Sequence, residues 1–152
     1  MTASPIKELN LRSYLRTNFK MTQTTKRFLL VDDDPMSNFI SIRVLENSLG
    51  EVHIDDFTVP EDGLEFIKSR HSHSPSDGKT ILFLDINMPT LSGWEFLKAF
   101  ELLDESIKEC YIIFILSSSV NLNDVNIAKA NPLVVDFIEK PLNNASLLKI
   151  FS

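Results

Sequence analysis

The sequence predicts an α/β fold: a doubly wound, five-stranded parallel sheet with helices on both faces. Two observations carry this expectation. Strand-like and helix-like periods alternate five times along residues 28–151, a pattern that right-handed crossovers turn into a parallel sheet. Two of the strand segments, TILFL (80–84) and YIIFIL (111–116), are apolar throughout, as strands covered on both faces must be.

The elements follow in order. FLLV (28–31) is a short apolar run that stops at Asp32-Asp33-Asp34. Pro35 suits the first turn of a helix, and Phe39, Ile42, Val44, Leu45 and Leu49 follow at helical spacing until Gly50 stops it. EVHIDDFTV (51–59) is a weaker strand, and its acidic interruptions suit a sheet edge. PEDGLEFIKSR (60–70) opens on proline and sets Leu64 and Ile67 on one face. HSHSPSDGK (71–79) is a polar loop, where His71 and His73 lack a further nearby metal ligand and read as exposed. TILFL ends at Asp85, and SGWEFLKAFELL (92–103) brings Trp94, Leu97, Phe100 and Leu103 to one side of a helix. YIIFIL runs into a triple serine. NLNDVNIAKA (121–130) offers Asn121 or Asn123 as helix cap and stops at Asn131-Pro132. LVVDFIE (133–139) is the fifth strand, Lys140-Pro141 follows, and NNASLLKIF (143–151) is a final short helix.

A chain of 152 residues suits one domain with one core. No apolar run approaches the roughly 18 residues that span a membrane, and the N-terminus lacks the uninterrupted apolar stretch of a secretory leader. The single cysteine, Cys110, excludes an internal disulfide and fits a reducing compartment. Its place before YIIFIL suits a small buried hydrophobe. Net charge is −6 but uneven: residues 1–27 carry +5 and residues 28–152 carry −11. An acidic body argues against direct nucleic-acid binding. Residues 1–25 read as a basic N-terminal extension, either a transit-type segment or non-native upstream sequence with Met21 as the start.

In open α/β sheets, ligands bind beyond the carboxyl ends of the strands. The first strand ends at Asp32-Asp33-Asp34, the third at Asp85 with Asn87 two residues on, the fourth at Ser117-Ser118 and the fifth at Lys140. Adjacent aspartates repel one another unless a cation shares their charge. Oxygen ligands with few protein carboxylates suit Mg²⁺, which keeps several waters and takes phosphate oxygens. A hydroxyl and a lysine fit a phosphoryl group, and an aspartate can act as its nucleophile.

LLVDDDP, LDINMPTLSGWE, FILSSS and FIEKPL stand in an order that resembles the receiver domain of two-component response regulators, in a stand-alone, chemotaxis-receiver-like form. The likeness covers residues 26–152, with no effector domain expected beyond them. It implies a flavodoxin-like sheet of strand order 2-1-3-4-5. It implies Asp85 as phosphoacceptor, with Mg²⁺ held by Asp33, Asp85 and the Asn87 main-chain carbonyl, and by Asp32 through water. Ser117 and Lys140 would hold phosphoryl oxygens, Phe137 would be the rotating switch aromatic, and Met88 and Pro89 would shape the loop after Asp85. Gly93 would permit the backbone turn opening the next helix, and a cis Lys140-Pro141 bond would turn the lysine towards Asp85. Two positions depart from the family: Asp136 replaces a small residue, and Ser118 stands where alanine is common.

The implied function is a cytoplasmic signalling switch. It would take phosphoryl from a sensor histidine kinase or histidine phosphotransfer protein. It would answer to a downstream protein through the face of the 121–130 helix, the 133–139 strand and the 143–151 helix. Neither direct nucleic-acid binding nor membrane insertion is expected. The alternatives are an aspartyl-phosphate phosphatase or phosphotransferase and a phosphorylation-independent scaffold. The enzyme class favours a second aspartate two residues after its nucleophile, where this chain has Asn87.

Overall fold

The computed structural model describes residues 27–69, 78–118 and 121–151. The expectations for residues 1–25 and for His71 and His73 lie outside the described residues. The elements run β1 (Arg27–Val31), α1 (Pro35–Leu49), β2 (His53–Phe57), α2 (Pro60–Ser69), β3 (Thr80–Leu84), α3 (Gly93–Glu101), α4 (Glu105–Lys108), β4 (Tyr111–Ser117), α5 (Leu122–Ala130), β5 (Val134–Glu139) and α6 (Asn144–Phe151). All strand pairs are parallel, in the order β2-β1-β3-β4-β5. This is the expected sheet, with β2 at an edge as its acidic residues suggested.

Alternation along the strands splits the core in two. Leu29, Val31, Leu82, Leu84, Ile113 and Ile115 pack one face against α2, α3, α4 and α5, through residues such as Ile67, Phe96, Phe100, Ile107 and Ala128. The opposite residues Phe28, Leu30, Ile81, Phe83, Phe114 and Leu116 meet Leu45 of α1 and Leu147 of α6. Across that second face Phe28, Phe83 and Phe114 form a row, with ring centroids 6.3 and 5.9 Å apart. Burying each such side chain contributes roughly 1.5–3 kcal/mol. Cys110 is buried, as expected.

Two features differ from the sequence reading. The one-turn helix α4 was not foreseen, because four residues are too few to display a period. The second concerns α1. Its start and stop are as expected, with Asp34 as cap (Met36 N–H to Asp34 Oδ1, 2.9 Å) and Gly50 at φ 83°. Its packing differs at one residue: Leu45 is buried and Ile42, Val44 and Leu49 pack against the same core, as the spacing expected, but Phe39 does not. The inward residues are Asn38, Ser41, Leu45 and Ser48, while Phe39, placed on the core side by spacing, is 56% exposed beside Met36 and Ile40. Polar bonds set this rotation: Asn38 Nδ2 donates to the Asp32 carbonyl at 3.1 Å, and Ser48 Oγ donates to Asn144 Oδ1 at 2.6 Å. At the other sheet edge the register shifts between Ile113 and Phe114, which pair with Val134 and Asp136. Val135 is thus an extra residue in β5, a bulge, and its side chain is exposed.

Candidate functional site

The parallel sheet puts the carboxyl ends of β1, β3, β4 and β5 on one edge, and the strand registers bring their next residues together. Asp32 is tied by its N–H to the Phe57 carbonyl of β2 (3.1 Å), and Asp85 by its N–H to the Val31 carbonyl of β1 (2.9 Å). One carboxylate oxygen each from Asp32, Asp33 and Asp85 lies within 4.8 Å of the others. Asp32 and Asp85 are buried, and Asp33 is the most open of the three. Asp34 is not part of the group; it caps α1.

Lys140 enters from β5. Its N–H reaches the Ser117 carbonyl at 2.8 Å. Its Nζ stands 2.5 Å from Asp32 Oδ2 and 3.6 Å from Asp85 Oδ1, and the Lys140-Pro141 bond is cis, as the resemblance implied. Three carboxylates therefore face one ammonium. Burial lifts the Asp85 carboxyl from 3.8 to about 6, and the Asp32 carboxylate adds to the rise. The Lys140 ammonium and the N–H groups of Ile86 and Asn87 pull the other way and do not cancel it. The donor set is all oxygen, crowded and short of positive charge, which fits a hard divalent ion such as Mg²⁺.

Ser117 is buried at the end of β4. Phe137 lies outside the acid pocket: it pairs with Ile115, one strand alternation below Ser117 and on the same face, and it is half-buried against the α2–α5 side of the core. Met88 is buried and the Asn87 side chain exposed. Of the two departures from the family pattern, Ser118 is exposed and Asp136 is half-buried, 3.7 Å from Lys149 Nζ.

Gly93 serves a different need from the one expected. No positive φ marks it. Instead a Cβ there would stand 2.5 Å from the Asp85 carbonyl oxygen and 2.8 Å from Ile86 Cα, and its N–H donates to the Ile86 carbonyl at 2.8 Å. The requirement is close approach of α3 to the loop after Asp85. Sequence reading also missed Asn38, which is 3% exposed. The available signal was a stripe of polar residues, Asn38, Ser41 and Ser48, running through Leu45 at helical spacing.

Comparisons with known proteins give the family of the chain. The family model for the response regulator receiver domain matches residues 28–152. The chain therefore belongs to the response regulator receiver domain family, and the signalling to which it belongs is the phosphorylation-based signalling of two-component systems. A response regulator receiver protein from Dyadobacter fermentans is similar at 26% identity and TM-score 0.73, over 82% of this chain and 93% of that one. A two component response regulator from Cytophaga hutchinsonii matches at 28% identity and TM-score 0.71, over 82% and 92%. The chemotaxis protein CheY4 of Vibrio cholerae shares the fold at 20% identity and TM-score 0.60, over 83% and 95%. The comparison with curated proteins found no match. Receiver domains bind Mg²⁺ at an acidic pocket and engage kinases or phosphotransfer proteins and downstream targets. Among the described residues, no helix is long and apolar enough to cross a membrane.

Proposed function

We propose that this response regulator receiver domain acts through Asp85, which takes a phosphoryl group from a phosphohistidine of a sensor kinase or phosphotransfer protein. The observation that carries the reading is the buried Asp85 carboxylate held between Asp32, Asp33 and the Lys140 ammonium. An Asp85 oxygen attacks phosphorus, the phosphorus–nitrogen bond breaks, and its electron pair returns to the imidazole. Attack by water later restores the carboxylate and releases inorganic phosphate. Mg²⁺ bound by Asp33, Asp85 and the Asn87 carbonyl, with Asp32 acting through water, would offset the charge of the phosphoryl oxygens. Lys140 neutralises a second oxygen and the Ser117 hydroxyl donates to a third. The domain is taken as residues 26–152, and residues 1–25 as an extension outside it. Its place is the cytoplasm, where sensor kinases present phosphohistidine. Asn87 in place of a second aspartate disfavours the phosphatase reading, and the complete Asp, Ser and Lys set disfavours a scaffold. The test is labelling by acetyl phosphate with and without Mg²⁺: one base-labile phosphoryl group is expected only with the metal, and metal-independent labelling would overturn the mechanism.

The exposed face of α1 supports a donor-docking role. Met36, Phe39 and Ile40 are exposed. Met36 and Ile40 line a cleft of about 270 Å³ with Ser118, Lys140 and Pro141, at the mouth of the acid pocket. Apolar side chains turned outwards beside a reacting centre suit an apolar helix surface carrying the phosphohistidine. Phe39→Asp is expected to slow transfer from a phosphotransfer protein at least about tenfold, since a central apolar anchor is worth over roughly 1.4 kcal/mol. Labelling by acetyl phosphate, which needs no docking, should stay unchanged. Equal slowing of both would place Phe39 in folding instead.

Output is assigned to the face of α5, β5 and α6. Leu122, Ile127 and Val135 are exposed there. Drawing the Ser117 hydroxyl towards a phosphoryl group would open space on the sheet face it shares with Phe137. Extra burial of that ring contributes on the order of 1–2 kcal/mol, about a tenfold population shift. Beryllofluoride should therefore move amide shifts at Ser117, Phe137 and residues 121–130. Changes confined to the acid pocket would sink the switch.

A further inference from the structure

Asp33 is held by its backbone alone. Its carboxylate accepts no hydrogen bond among the described residues, yet both peptides that flank it are fixed. On the C-terminal side, the Asp34 N–H donates to Asp32 Oδ1 at 2.9 Å. On the N-terminal side, the Asp32 carbonyl accepts from Asn38 Nδ2 at 3.1 Å, and the same amide faces the Phe57 carbonyl of β2 at 3.5 Å. Asn38 is buried.

We propose that Asn38 is a positioning residue for the acid pocket: its side-chain amide locks the Asp32–Asp33 peptide plane and so aims the Asp33 carboxylate at the metal. Without the bond, repulsion among three carboxylates favours rotation of that peptide, which swings Asp33 outwards. The restraint left on the turn would then be the Asp34 N–H bond to Asp32 Oδ1, which holds the following peptide and not the Asp32–Asp33 one. The idea rests on the reading of Asp33 as a Mg²⁺ ligand, and it adds a residue that touches neither metal nor phosphoryl group.

The experiment titrates Mg²⁺ into the full chain by calorimetry for the wild type, Asn38→Ala, Asp33→Ala and Leu45→Ala. Leu45 is fully buried on the same helix, away from the pocket, and Leu45→Ala controls for lost stability. Each variant is also unfolded with urea in EDTA. Asn38→Ala should weaken Mg²⁺ binding about tenfold, the loss of one hydrogen bond's worth of aim, while Leu45→Ala, less stable in urea, should bind as the wild type does. At saturating Mg²⁺ the rate of acetyl phosphate labelling should recover to within about twofold, because only the metal's half-saturation has moved. If Asn38→Ala fails to fold, Asn38→Ser, which keeps a donor on a shorter arm, takes its place with a smaller shift in the same direction. Wild-type affinity in the Asn38 variant, or an equal loss in Leu45→Ala, overturns the positioning role while Asp33→Ala still reports the metal ligand. Unchanged affinity in Asp33→Ala overturns the ligand reading itself.

Discussion

Asp85→Asn should abolish labelling by acetyl phosphate, a loss of at least about a hundredfold, and at the same time make the metal-free protein more stable at neutral pH. The first effect follows because an amide oxygen is a poor nucleophile beside a carboxylate. The second follows from the shifted titration. Asp85 is raised from 3.8 to about 6 by burial and by the Asp32 carboxylate, so its ionised form is disfavoured in the fold. For a group with a raised folded value, the associated stability is complete below the unfolded value and is lost as pH rises through the folded one. Metal-free wild type should therefore lose ground to Asp85→Asn between about pH 4 and pH 6, by on the order of 3 kcal/mol at pH 7. Urea unfolding in EDTA at several pH values measures this difference. A constant gap from pH 4 to pH 7 would mean that Asp85 is not strained in the empty pocket. Added Mg²⁺ should reverse the order at pH 7, since the metal repays the carboxylate and not the amide.

The second large effect is steric. Gly93→Ala should cost roughly 2–3 kcal/mol, lowering the melting temperature by about 10 °C. The new Cβ would meet backbone, the Asp85 carbonyl oxygen at 2.5 Å and Ile86 Cα at 2.8 Å, and neither can step aside without dragging the loop after Asp85. Labelling at Asp85 should fall with it. Gly63→Ala is the comparison, because its Cβ would meet a side chain, Val31 Cγ2, at 3.0 Å, and alanine favours the helix by roughly 0.8–1.0 kcal/mol. A Gly63→Ala protein as damaged as Gly93→Ala would show that mere crowding, rather than the loop beside Asp85, sets the cost.

The strands and their parallel pairing were legible because TILFL and YIIFIL are apolar on both sides and the connections between strands hold helix-length periods; the strand order came only with the family resemblance. The acid edge was legible for the same reason: in a parallel sheet every strand's carboxyl end points one way, so Asp32, Asp85, Ser117 and Lys140 had to meet. What the sequence hid were the interactions that reverse simple patterns. In α1 a spacing rule sends Phe39 inwards, but hydrogen bonds from Asn38 and Ser48 decide the rotation, and pairing over 96 residues of chain, as between Ser48 and Asn144, leaves no local trace. Gly93 was legible as a necessary glycine; its reason was not, because a close approach between segments is invisible in one of them. The bulge at Val135 depends on pairing with β4, not on its own strand.

The exposed apolar stripe of α1 has a consequence for how such a protein can change over time. Its inward residues pack into the fold, and one of them, Asn38, bonds the Asp32 carbonyl, whereas Met36, Phe39 and Ile40 are exposed. Mutations on the outer stripe can accumulate without being screened for folding. If that stripe docks the phosphodonor as proposed, a duplicated copy could thus drift towards a new cognate kinase, insulated from its parent, while the chemistry beneath is inherited unaltered.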